Sequence, residues 1–201
     1  MMSVRRPALI RAAVAAAALL GCSLGVSAPP ATAAAVSPAA ARAADVSVPI
    51  GRDVNIVHSQ LGARMVPWWG SAANDTVVRV WSDPYSGDTW NFQLRGWYTD
   101  GDGEWPLVSI VNVKSDRCLQ PKDKEAKQNA AVVIYDCNSA STAQQWIVRG
   151  SSAFPDSVQF APYKQPQLGI TLQNKNSASS DLALDYRNPA NPAFAWRVPP
   201  A

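Results

Sequence analysis

Residues 132–148 read VVIYDCNSASTAQQWIV. A β-branched run ends in Tyr135, an Asp-Cys pair and a small polar loop follow, and Gln144-Gln145-Trp146 leads into a second β-branched run. β-branched and aromatic side chains favour extended backbone, whereas clustered Ser, Asn and Ala interrupt it, so the segment is two strands joined by a loop. The same grammar recurs on both sides, in VVRVWSDPYSGDTWNFQL at 77–94 and LALDYRNPANPAFAWRVPP at 182–200. Each copy has a strand ending in an aromatic (Trp81, Tyr135, Tyr186), a loop of 8 to 10 residues, and a Trp (Trp90, Trp146, Trp196) entering the next strand.

The spacing turns the likeness into a repeat. The first aromatics stand 54 and 51 residues apart and the tryptophans 56 and 50. Seventeen residues before each first aromatic stands a matching pair: Arg64-Met65, Cys118-Leu119 and Gly169-Ile170. Units of about 50 residues are too small to bury a core alone and have to share one. Helical periodicity is nearly absent after Val46, and further short runs such as LVSIVNV at 107–113, SVQF at 157–160 and LGITL at 168–172 lie between Gly, Pro, Asn and Ser clusters. The expected fold is therefore all-β, a β-trefoil of three repeats with pseudo-threefold symmetry and the three tryptophans at its shared centre.

Cys118-Leu119, the 17-residue step to Tyr135, Asp136-Cys137 and Gln144-Gln145-Trp146 together resemble a repeat of the ricin B-type lectins. The outer copies match by spacing, with Asp88-Thr89-Trp90 and Phe194-Ala195-Trp196 in place of Gln-x-Trp. The resemblance covers about residues 55–198. It implies that Trp90, Trp146 and Trp196 are core residues, and that the Gln of Gln-x-Trp fixes a loop. It also implies that Trp81, Tyr135 and Tyr186 lie at or near sugar platforms, with Asp83, Asn138 and Asn188 as polar partners on the same loops. A sugar offers an apolar C–H face and a rim of hydroxyls, so an aromatic ring beside an amide or carboxylate suits it; filling of the barrel rim is the alternative role. The chain departs from the family where the family's sugar-binding Asp stands, having Val66, Gln120 and Thr171 there, and where its Asn stands, having Gly87, Ala143 and Ala193. Gln120 can still exchange hydrogen bonds with a hydroxyl, without the strength a charge adds.

Outside the repeat pattern, Pro67-Trp68-Trp69-Gly70 sets two tryptophans side by side. In a strand neighbouring residues face opposite ways, so at most one of Trp68 and Trp69 turns inward. Exposed aromatics mark binding surfaces, which makes both candidates for ligand contact. More faintly, residues 62–92 are similar to the first repeat of the ricin-like binding subunits of cytolethal distending toxins, which implies a protein partner in a secreted complex as the alternative to glycans or cell-surface carbohydrate.

Residues 1–43 have the order of a secretory signal peptide: Arg5, Arg6 and Arg11, an apolar run from about 12 to 28, then small residues. A secreted protein is expected, with residues 44–54 an N-terminal extension and 55–201 the trefoil. Leu19-Leu20-Gly21-Cys22 leaves lipid anchoring at Cys22 as an alternative. That leader holds four arginines and no acid, so 14 basic groups face 15 acidic ones in the remainder. Near-neutral charge with scattered basic residues provides no footprint for nucleic acid. Cys118 and Cys137 remain as an even pair in an oxidising compartment, and a disulfide between them is expected.

Catalytic or metal chemistry finds no support in the pattern. Asp100-Gly101-Asp102-Gly103-Glu104 lacks the spacing of a calcium loop and suits a hairpin turn. His58 is the sole histidine and falls near the domain's edge, without companions for zinc or a nucleophilic triad. No spacing pairs two carboxylates across a cleft. The expectation is a binding domain, not an enzyme, with no cofactor and no metal.

Overall fold

The computed structural model describes residues 47–201, so the expected leader and Cys22 lie outside the described residues. The first repeat contains β1 (Asp53–Asn55) and β2 (Val57–His58), then β3 (Arg64–Pro67), β4 (Thr76–Trp81) and β5 (Thr89–Asp100). The second contains β6 (Gly103–Asn112), β7 (Arg117–Pro121), β8 (Val132–Asp136) and β9 (Trp146–Gly150). The third contains β10 (Val158–Pro162), β11 (Leu168–Leu172), β12 (Leu182–Tyr186) and β13 (Trp196–Arg197). With β1 and β2 counted as one interrupted strand, every repeat has four.

The outer strands of each repeat close a barrel. β1 pairs with β5, β5 with β6, β6 with β9, β9 with β10, β10 with β13, and β13 with β2, all antiparallel. Closure removes free strand edges. The inner strands form the hairpins β3–β4, β7–β8 and β11–β12. These hairpins join edge to edge in a ring, through β4–β8 pairing and the bridges Arg79↔Asp181 and Ala131↔Ala183. This is the β-trefoil that the repeat requires.

Threefold kinship extends to single atoms. Met65 faces Val80, Leu119 faces Ile134 and Ile170 faces Leu184, and all six are fully buried. The indole N–H of Trp90 donates to Met65 O at 2.8 Å, that of Trp146 to Leu119 O at 2.9 Å, and that of Trp196 to Ile170 O at 3.2 Å. Each buried ring thus ties a barrel strand to the hairpin of its own repeat, and its one polar group is satisfied. The three rings lie in one core cluster. Phe92 and Phe160 also meet there, centroids 5.9 Å apart.

β5 and β6 are at least twice as long as most strands because they run on beyond the barrel as a hairpin, turning at Gly101-Asp102. A bulge at Arg95 resets the alternation between Leu94 and Gly96. Past it, Tyr98 and Trp105 pack on Tyr163 and the outer barrel residues Leu107, Ile147 and Ala161. The Arg149 guanidinium lies 5.4 Å from both the Tyr98 and Trp105 rings and 2.5 Å from Asp100 Oδ2. The acidic stretch from Asp100 to Glu104 is therefore the expected hairpin turn, anchored by an arginine.

His58 is not at an edge. It is fully buried where the barrel closes, opposite Trp196, whose ring it meets edge-on at 5.0 Å. Burial lowers its pKa from the usual 6.5. The unfolded chain then binds a proton that the folded chain refuses, so stability falls as pH drops from about 6.5 towards the lower folded value. Chemical denaturation between pH 7.5 and 5 is expected to show this loss, and His58→Gln to remove most of its slope. Trp146→Ala, which empties a large core volume and strands the Leu119 carbonyl, is expected to cost about 3–5 kcal/mol in the same assay.

Candidate functional site

Strand register settles which residues are equivalent. Arg64 pairs with Trp81, Cys118 with Tyr135 and Gly169 with Asp185. Tyr186 pairs with Leu168, one step further, at the place that Asp136 holds opposite Arg117. The shared spacing of 17 residues misaligned it, because the third hairpin is one residue shorter between its strands. Tyr186, 62% exposed, thus stands one residue past the position that Trp81 and Tyr135 hold. At the equivalent place Asp185 accepts from Gln128 at 2.9 Å and Lys175 at 3.1 Å, and these partners lower its pKa, Gln128 foremost.

The loop after each platform position is held in three different ways. In the second repeat, Gln144 Oε1 accepts from Asn138 N at 2.8 Å while its Nε2 donates to Asp136 O at 2.9 Å and Gln120 Oε1 at 3.0 Å. The expected Cys118–Cys137 disulfide fastens the same loop to β7. In the third repeat Arg187 and Phe194 occupy the places of Cys137 and Gln144, and both lie against Gly169, the counterpart of Cys118. A side chain at Gly169 would crowd them: a Cβ there falls 3.0 Å from Phe194 Cδ1 and 3.3 Å from Arg187 Cγ, so both would have to give way. In the first repeat Arg64 takes the Cys118 place and donates to Asp88 Oδ2 at 2.7 Å. Disulfide, packing and ion pair thus fill one architectural need.

Several expected partners are occupied by these duties. Asn138 Oδ1 accepts from Ala140 N and Asn188 Oδ1 from Ala190 N, both at 3.0 Å, so both amides shape turns and keep their N–H groups and one acceptor place free. Gln120, contrary to expectation, is buried and bound to Gln144, out of reach of a ligand hydroxyl. Thr171 is buried and donates to Ala193 O at 3.0 Å, and Val66 has no polar atom to give. Asp83 is exposed in the loop after Trp81.

A hollow adjoins each of Trp81 and Tyr135. The one at Tyr135, about 440 Å³, is lined by Lys124, Asp136, Asn138, Ser139 and Ser141 as well as the ring. Lys124 Nζ lies 5.7 Å from the ring centroid. Asp136 is bound by Asn74 and Arg117, which lower its pKa. The other hollow, about 380 Å³, is bordered by Pro67, Trp68, Trp69, Arg79, Trp81 and Tyr85. Trp68 and Trp69 are not on a strand, as the sequence had suggested, but on a 3-10 turn, Trp68–Gly70, that exposes both: 39% and 73%. Arg79 lies 3.8 Å over the Trp68 ring and 5.6 Å from that of Trp81. Neither Arg79 nor Lys124 is among the ligand-contact candidates of the sequence, where residues 122–127 read as a solvated loop. Arg79 precedes Trp81 by two residues, the spacing that puts both on one face of a strand, and this was the available signal. Among the described residues no three His, Cys, Asp or Glu side chains gather as a metal site would require.

A model of the family described as ricin-type beta-trefoil lectin domain-like matches residues 86–193. No curated protein matches the chain by sequence. Among solved structures, the designed threefold-symmetric protein ThreeFoil superposes with a TM-score of 0.60 at 16% identity, covering 74% of this chain and 99% of its own. The agglutinin of Rhizoctonia solani superposes with a TM-score of 0.60 at 16% identity, covering 78% and 99%. Cytolethal distending toxin from Actinobacillus actinomycetemcomitans gives a TM-score of 0.56 at 16% identity, covering 74% and 91%. At such identities these likenesses establish the fold.

The second repeat's loop should be the most sensitive to single changes. Gln144→Leu leaves Asn138 N, Asp136 O and Gln120 Oε1 without their partner in a buried setting. The expected cost is about 2–3 kcal/mol by denaturant titration. Removing the disulfide with Cys118→Ala and Cys137→Ala together should cost about 3 kcal/mol.

Proposed function

Because the chain belongs to the ricin-type beta-trefoil lectin domain-like family, we propose that it is a secreted, non-catalytic protein that binds glycans through Trp81 and Tyr135. Carbohydrate binding is the property of the family. The observation that supports these two residues is their position: both are partly exposed rings at one register place, each beside a hollow and a fixed polar loop. A ring in that setting takes the C–H face of a sugar, while loop N–H and hydroxyl groups meet its rim.

Binding at either platform is weak in this reading, since the residues at the family's acidic position are Val66, Gln120 and Thr171, and Gln120 is already engaged. A charged acceptor gives stronger hydrogen bonds than a neutral one, and none stands there. Useful avidity then comes from engaging both platforms on a multivalent surface. The disulfide and the order of residues in the leader support an extracellular setting.

Exposure of Trp69 favours a second reading, in which Trp68 and Trp69 dock a protein partner in a secreted complex. A glycan array tests the first reading. Binding is expected for the parent chain and to fall about tenfold or more for Tyr135→Ala and Trp81→Ala, a loss of roughly 1.4 kcal/mol each. A blank array, together with a protein that co-purifies from the culture medium, would favour the second.

A further inference from the structure

The turn that presents Trp69 is costly to hold. Trp69 has φ 54° and ψ 20°, in the left-handed region that large side chains avoid. The equivalent turn of the second repeat, Lys122–Lys124, has Asp123 there at φ 58°, a residue type that tolerates this conformation. Nothing in the core requires a Trp: its ring is mostly in solvent and its one close aromatic neighbour is Trp68, edge-on at 5.6 Å. The turn is nevertheless braced. Tyr85 Oη donates to Trp69 O at 3.1 Å, and Gly70, φ 62°, lets Tyr85 approach so closely that a Cβ would fall 2.8 Å from its ring.

Indole N–H groups sort the tryptophans into two sets. Those of Trp90, Trp146, Trp196 and Trp105 are satisfied within the protein. Those of Trp68, Trp69, Trp81 and the exposed Trp97 have no acceptor among the described residues, and the first three of these rings border one groove. No carboxylate lines that groove. Its only charge, Arg79, donates to Ser179 O at 2.5 Å and Ser179 Oγ at 3.3 Å and lies 3.7 Å from Asp181 Oδ1, so it is already compensated.

From this lining we infer that the Trp81 groove is specific for neutral, unbranched β-linked oligosaccharides whose ring hydroxyls are all equatorial. The inference rests on the carbohydrate-binding reading and names its ligand class. The groove has no carboxylate to give an axial hydroxyl the stronger hydrogen bond of a charged acceptor. Arg79 covers the Trp68 ring, but Trp69 and Trp81, from two chain segments, still bring more than one ring to the groove, which one sugar ring does not need. A pyranose with every substituent equatorial shows C–H bonds on both faces, so successive rings can stack whichever way they turn. An axial hydroxyl spoils one face. The free indole N–H groups then donate to hydroxyl oxygens along the chain.

Titration calorimetry of the full chain with cellohexaose, xylohexaose and lactose tests this. The hexasaccharides are expected to bind about tenfold or more tightly than lactose. Trp69→Gly, which relieves the backbone, is expected to weaken hexasaccharide binding about tenfold without lowering the Tm. Preference for lactose, or hexasaccharide binding untouched by Trp69→Gly, would overturn the ligand class. The family reading would survive if Tyr135→Ala or Trp81→Ala still abolished lactose binding. Absence of binding to all three sugars and to a glycan array, with a protein partner lost on Trp69→Gly, would overturn both.

Discussion

One hydrogen bond, made three times, organises the molecule: an indole N–H on a barrel strand to a carbonyl on a hairpin strand. A buried tryptophan whose N–H lacked a partner would be expensive, so the bond fixes the distance and angle at which hairpin meets barrel. Because the carbonyl belongs to the residue facing Val80, Ile134 or Leu184, it also fixes hairpin register. Hairpin register in turn decides which residue after that core pair stands outside. The positions of Trp81 and Tyr135 are thus set by rings buried in the core.

With the threefold frame held this way, the loops beside it were free to diverge. A disulfide with Gln144, an Arg64–Asp88 pair, and Gly169 packed under Phe194 and Arg187 each secure the same junction. The first is covalent and hydrogen-bonded, the second electrostatic and partly exposed, the third apolar. Divergence of the support has gone with divergence of the surface: aromatic in the first repeat, cationic and polar in the second, and in the third an Asp185 carboxylate held by Gln128 and Lys175.

The frame was legible in the sequence because its signals are large and periodic. Trp90, Trp146 and Trp196 recur at nearly constant spacing, and Cys118 with Cys137 had no other partner. The site was less legible, since it depends on register, and register turns on single residues. Tyr186 looked like a third platform until one fewer residue in its hairpin moved Asp185 into that position. Trp68 and Trp69 were read as strand residues because the 3-10 turn after Pro67 leaves no compositional trace beyond Gly70. His58 looked peripheral because its partner Trp196 lies near the other end of the chain.

That pairing carries a kinetic meaning. The barrel's last joint is made by β2 and β13, each of two residues, drawn from opposite ends of the described chain. Loop closure over such a span is entropically demanding, so the ring should seal late, after the three hairpins exist. Once sealed, the joint is extended by Asn55 N to Pro199 O, Ser59 N to Ala195 O and the bridge of Val54 with Pro200, yet it still holds a chain end and is the natural place for fraying. A transient gap there would wet Trp196 and His58 first while the disulfide-clasped middle repeat stayed shut.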